Sequence, residues 1–183
     1  MKIVLFTFYY PPDLSAGSFR AVALVEALSK KISLEDELHV VTTHPNRYAT
    51  HKVFAKDSEH KRNITIHRVK VPGHQSGMAS QARTFIVFAW HAMRYCTQLK
   101  PDFVIGTTSR LMTGLLAGLS SKLVRCRYFI DLRDIFSETI SDLFSSKSKL
   151  LGSISKSTFF FLEGWLFNKA SGVNVVSEGF PEY

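Results

Sequence analysis

The sequence has only two cysteines, Cys96 and Cys126, far apart and in no metal-ligand spacing. Free buried thiols in a reducing compartment are the plain reading. Long hydrophobic runs are missing too, since no stretch approaches the ~20 consecutive apolar residues that span a bilayer. The opening run Met1–Phe6 is soon followed by Pro11 and Pro12, without a small-residue cleavage site, so it does not read as a signal peptide. The expected location is cytoplasmic, with the inner face of the membrane left open. Glycine is sparse where nucleotide motifs need it. Only Gly17 follows the first apolar run, so the dinucleotide pattern G-x-G-x-x-G is absent, and no G-x-x-x-x-G-K-[ST] occurs. There is no G-x-S-x-G elbow, no His/Cys cluster of zinc type and no cysteine placed as a nucleophile.

Acid is also in short supply. Fifteen Asp and Glu face 23 Lys and Arg, a net charge of +8. Such an excess suits anionic lipid, nucleic acid or phosphorylated ligands, and equally a solvated basic face. No nucleic-acid motif accompanies it, so nucleic acid is not an expected partner.

What is present is an ordinary globular composition, 45% apolar and rich in phenylalanine with 15 copies. The 183 residues suffice for one domain with a buried core but not for two full Rossmann-like domains. Short apolar runs read as strands at Lys2–Tyr9, Leu38–Thr43, Ile64–Lys70, Phe103–Ile105, Arg127–Asp131 and Val173–Val176. Between them, Ala21, Leu24, Val25, Leu28 and Ile32 recur at helical spacing, as do Phe85, Phe88, Ala89, Ala92 and Cys96. Leu111–Leu123 and Ser153–Lys169 also read as helices, with Gly114 and Gly118 suggesting close packing. Asn46–Lys61 is polar and aperiodic, a loop. Alternating strands and helices predict an α/β, Rossmann-like, doubly wound and mainly parallel sheet of about six strands, helices on both faces, in a single domain 1–183.

Ligands in such sheets bind beyond the carboxyl ends of the strands, which singles out four loops. The first, Tyr10–Arg20, offers Ser15, Gly17 and Ser18 at a helix N-terminus, where anions are favoured, and Arg20 for a charge-assisted bond. Its plainer reading is a loop with Ser15 as N-cap. The second places His44 at a strand end, to meet a sugar hydroxyl or simply to cap. The third, Gly106–Arg110, carries Thr107, Thr108 and Ser109, suited to hydroxyls or an anion, or to capping. The fourth, Asp131–Glu138, sets Asp131, Asp134 and Glu138 around Arg133. Those carboxylates could orient an acceptor hydroxyl or bind its proton, or form an ion pair that braces the loop.

In their order along the chain these pieces resemble the amino-terminal domain of family-4 glycosyltransferases of GT-B architecture. The resemblance rests on the first strand leading into Tyr9-Tyr10-Pro11-Pro12, the small-residue loop and the Arg20-x-x-x-Leu24-x-x-x-Leu28 helix. It continues in Asp131-Leu132-Arg133-Asp134, similar to a D-x-R-D-x-[WF] stretch of bacterial surface-polysaccharide members. Last come Leu162-Glu163, Asn168-Lys169-Ala170 and Val173 to Glu178. The chain departs from the pattern at Ala16, where a paired glycine is usual, and at Ser171, usually aspartate. It also lacks the E-x₇-E pair of the donor-binding domain.

The resemblance implies retaining transfer from a nucleotide-sugar, without an obligatory metal or further cofactor, in surface polysaccharide or lipopolysaccharide synthesis. It assigns donor binding to a carboxyl-terminal partner domain absent from this chain, which ends about where the hinge would begin. Asp131, Arg133 and Asp134 would be the catalytic, acceptor-orienting residues. Ser15, Gly17, Ser18, Arg20, His44, Thr107 and Thr108 would bind substrate. A free-standing sugar- or anion-binding module is the alternative. Acceptors in such pathways are often lipid-linked, which would give the charge a use. Gln81–Lys100, with its mixed aromatic and basic residues, could lie on an anionic membrane surface or belong to the core, and the aromatic stretch Ser157–Phe167 poses the same choice.

Overall fold

The computed structural model describes residues 1–46, 53–73, 78–108, 111–133 and 149–175. Among the described residues, seven strands form one sheet: β1 (Lys2–Phe6), β2 (Glu37–Thr43), β3 (Ser58–Lys61), β4 (Ile64–Val69), β5 (Phe103–Thr107), β6 (Arg127–Asp131) and β7 (Val173–Asn174). Their order is β3-β4-β2-β1-β5-β6-β7. All neighbours run parallel except β3, which pairs antiparallel with β4. The chain winds outward from β1 to β2 and β4, then returns to β5 on the other side of β1 and winds outward again. The topological switch point therefore lies between β1 and β5.

Strand residues are apolar on both faces because helices cover both. Ile3, Leu5, Leu38, Val40 and Ile105 pack under α1 (Ala16–Ser29) through Ala21 and Val25. Val4, Phe6, Val41 and Val104 face the opposite way, toward α2 (Met78–Leu99), α3 (Leu111–Val124) and α4 (Lys149–Lys169). Phe88, Ala92, Cys96, Leu116, Ala117 and Leu166 complete that side. Cys96 is buried, which pushes its thiol up to about 12.

One expectation needs adjusting. The stretch read as a loop over 46–61 ends in a strand, β3, whose four residues are all exposed. A polar edge strand buries neither face, so it carries no apolar alternation. Helix α1 begins where the plainer reading of the first loop put it, with Ser15 as cap: the Ser15 Oγ accepts from the Ser18 N–H at 3.1 Å. The close packing suggested by the α3 glycines is present. A Cβ on Gly114 would lie 2.8 Å from the Thr108 Cγ2, and one on Gly118 would meet Leu166 and Trp165 at 3.1 and 3.2 Å.

Candidate functional site

The loop leaving β1 is held from three directions. Thr42 and Thr43 on β2 donate their hydroxyls to the Phe8 carbonyl at 3.3 and 2.7 Å. Arg68, buried at the end of β4, donates through Nη2 to the Pro11 carbonyl at 2.8 Å. Its Nη1 donates to Glu59 on β3 at 2.6 Å and to the Lys56 carbonyl at 3.2 Å. Asp13, also buried, accepts from the Asn46 N–H with both oxygens at 3.2 Å. The Pro11–Pro12 peptide is cis. Tyr10 sits in the same loop, and burial above all raises its phenol pKa. The loop thus delivers the first turn of α1 to the carboxyl edge of the sheet in a fixed position.

Arg20 extends from that helix to Asp131 at the end of β6. Its Nη2 donates to Oδ1 at 2.9 Å and its Nε to Oδ2 at 3.3 Å. The Arg133 Nε donates to Oδ2 at 3.3 Å, and the Asn174 Nδ2 to Oδ1 at 2.7 Å. A carboxylate offers about four acceptor positions. Here four donors fill them, two on each oxygen. Both guanidiniums bond this carboxylate, and arginine cannot shed its proton in a protein. Asp131 is buried, whereas the Arg20 side chain is 35% exposed. The accessible part of the cluster is therefore cationic, on a helix whose first turn has no acidic residue. Positive charge and a helix N-terminus both favour an anion.

Of the residues singled out by sequence, Arg20, Asp131 and Arg133 come together. Ser15 is occupied as the cap. Gly17 is half-buried in the first turn of α1. Ser18, expected to face the cleft, is fully buried, and its N–H is taken by Ser15. Thr107 is buried with its hydroxyl on the Phe6 carbonyl at 3.4 Å. Thr108 ties β5 to β6: its N–H and hydroxyl donate to the Asp131 carbonyl at 3.0 and 3.3 Å, and the hydroxyl accepts from the Arg133 N–H at 3.0 Å. His44 lies apart from the cluster, its Nε2 2.9 Å from Asp57. Lys70 foremost, and His44 after it, hold the Asp57 carboxyl below its ordinary range. Asp134, Ser109, Arg110 and Glu138 lie outside the described residues. No group of three or more His, Cys, Asp or Glu side chains able to hold a metal occurs among the described residues.

Sequence reasoning missed Asn174, Asp13 and Arg68. Asn174 could have been found by the strand-end rule, since it closes β7. Arg68 is a cation at the end of an otherwise uncharged strand, where burial demands partners.

No curated protein matches this chain in sequence. Among solved structures, sucrose-phosphate synthase from Thermosynechococcus elongatus superposes with a TM-score of 0.65 at 13% identity, covering 100% of this chain and 44% of that one. A ugt transferase from Siraitia grosvenorii, solved in complex with UDP, gives 0.53 at 8% identity over 98% of this chain and 45% of that one. At such identities the likeness speaks for the fold alone, and this chain spans less than half the length of either protein. The profile of the glycosyl transferase 4-like domain matches residues 18–183, nearly the whole sequence, and the chain belongs to that family.

Proposed function

We propose that this chain is the acceptor-side half of a retaining glycosyltransferase that moves a sugar from a nucleotide-sugar to an acceptor in surface polysaccharide or lipopolysaccharide synthesis. The observation that carries the reading is the Arg20–Asp131 pair at the carboxyl edge of the sheet, in which a buried carboxylate holds a partly exposed guanidinium. Family membership supports it, as does a fold shared with sucrose-phosphate synthase and with a ugt transferase solved in complex with UDP. In this reading a carboxyl-terminal domain holds the donor and its leaving diphosphate, and the two halves close over the substrates. Arg20 supplies positive charge from the facing side, where developing negative charge on the leaving group needs it. Asp131 acts as a positioning residue, because its acceptor positions are filled by the groups it holds. Arg133 and Asp134 would orient the acceptor. Gly17, without a side chain, would let a substrate approach the first α1 turn closely.

The test is turnover by the chain joined to its donor domain, followed as nucleoside diphosphate released from a panel of nucleotide-sugars. Arg20→Ala should lower kcat/KM by roughly a hundredfold, with Arg20→Lys partly active. Full activity in Arg20→Ala, or no donor consumption by the joined protein with any acceptor, would overturn the reading.

A further inference from the structure

Strand β3 closes one side of the sheet, and among the described residues no strand pairs with its outer side. The Arg68 N–H donates to the Asp57 carbonyl at 2.8 Å, and the ladder continues to Lys61 opposite Ile64. Asp57, Glu59 and Lys61 therefore direct their backbone groups to β4. The alternation of an antiparallel ladder turns the N–H and C=O of Ser58 and His60 the other way, to the open side. An edge of this kind is a template for one more strand.

Charge identifies that strand. Two copies meeting edge to edge about a twofold axis normal to the sheet place antiparallel strands side by side with like faces together. Each residue then opposes one from its own face, so the axis passes through a residue. An axis at Ser58 sets Glu59 against Asp57, one at Glu59 sets glutamate against glutamate, and one at Lys61 sets lysine against lysine. Only an axis at His60 creates no like-charged pair, and it sets Glu59 of each copy opposite Lys61 of the other. It also lets the two His60 residues exchange their outward N–H and C=O groups. Glu59 gives one oxygen to Arg68 and keeps 43% of its side chain exposed, and Lys61 is exposed. Edge charges discourage foreign strands and slipped registers. Here they leave one self-match.

We propose that β3 pairs antiparallel with β3 of a second copy of this chain, about a twofold axis at His60, so that one sheet runs through the dimer. The second copy's Arg62 then comes opposite Ser58. At that end of β3, Phe54, 87% exposed, and Lys56 border a groove of about 620 Å³ that can receive the second copy's turn. The axis reverses strand direction, so the two carboxyl edges, each with its Arg20–Asp131 pair, point to opposite ends of the dimer and neither is covered. Arg68 bonds both Glu59 and the Pro11 carbonyl, which ties the paired edge to the β1 loop. The pairing does not rest on the proposed sugar transfer.

The experiment is sedimentation equilibrium of the chain over a concentration series, joined to cysteine crosslinking across the edge. A monomer–dimer equilibrium is expected. Lys61→Glu sets like charges opposite each other twice and should weaken the dimer by roughly tenfold, whereas Lys61→Arg should keep it. Residues directly opposite in a hydrogen-bonded antiparallel pair have Cα atoms about 5.5 Å apart, within disulfide reach. Under mild oxidation His60→Cys should therefore give a covalent dimer. Glu59→Cys and Lys61→Cys should not crosslink singly but should do so when mixed. The unsubstituted chain, with Cys96 buried and Cys126 half-buried, supplies the control. All three positions are exposed, and an unchanged thermal melt verifies the fold of each variant. A chain still monomeric at about 1 mM overturns the proposal. So does a dimer indifferent to Lys61→Glu, or one that crosslinks through position 59 or 61 alone and not through 60.

Discussion

Arg20 and Asp131 stand 111 residues apart in sequence and meet through two hydrogen bonds at 2.9 and 3.3 Å. One comes from the helix after β1 and the other from the end of β6, so the pair spans the switch point of the sheet. Its two members are unequal in burial: the Asp131 side chain is 3% exposed and that of Arg20 35%. Water already solvates part of Arg20, whereas Asp131 depends on its partners entirely. The pair is thus a buried anchor holding a cation out toward the cleft.

That inequality predicts unequal substitutions. Asp131→Asn leaves Arg20 and the mostly buried Arg133 without their shared counter-charge. It should cost about 3 kcal/mol of stability, near the lower end for breaking a buried pair because Arg20 is partly hydrated. Arg20→Ala keeps the Arg133 and Asn174 contacts to Asp131 and should cost only about 1 kcal/mol. Urea denaturation of both variants checks the order, and a larger loss for Arg20→Ala would refute it.

Glycine packing gives a second contrast. A Cβ on Gly106 would lie 2.8 Å from the Ala117 Cβ, 3.2 Å from the Thr113 carbonyl oxygen and 3.3 Å from the Gly114 Cα. Two of these three are backbone atoms and cannot swing aside, so α3 would have to lift from β5. Gly106→Ala should lower stability by about 2–3 kcal/mol. Nothing lies within 4 Å of a Cβ on Gly164, in helix α4. Gly164→Ala should therefore stabilise by up to about 1 kcal/mol. Thermal melts of the two variants should move in opposite directions.

The parallel sheet and its helices were legible because β1, β2 and β5 are buried on both faces, and continuous apolar runs between turn signals leave few other arrangements. Strand β3 was not legible, since Ser58–Lys61 is an exposed edge whose pairing depends on β4 rather than on its own residues. At the site, residue types pointed to Arg20, Asp131 and Arg133 but could not say which partner each takes. Asp131 and Arg133 are near neighbours in sequence, while the Arg20 and Asn174 contacts arise only when the strand ends are brought side by side. The same limit applies to Arg68, whose burial and bond to Pro11 depend on the β1 loop folding across β4.

A pair of histidines beneath α2 predicts a dependence on acid. The His39 Nδ1 and His67 Nε2 are 3.1 Å apart, and the His39 Nε2 is 3.0 Å from the Glu37 Oε2. The His67 ring stacks on His39 and lies against Tyr95. At least one of the two facing nitrogens must be an unprotonated acceptor. Burial foremost, then the charge of His39, lowers the pKa of His67 below its ordinary 6.5. The unfolded chain therefore takes up a proton at His67 as pH falls through 6.5, while the folded chain does not. This contribution to stability is complete above that value and declines below it until the folded pKa is reached. Glu37 is held below its ordinary 4.5, chiefly by its bond to His39, and its own contribution is lost only in more acid solution. Between about pH 7 and about pH 5 the stability should fall, and His67→Gln should flatten that slope. Urea denaturation across the window gives the measurement, and an identical slope in the variant would remove His67 as its cause.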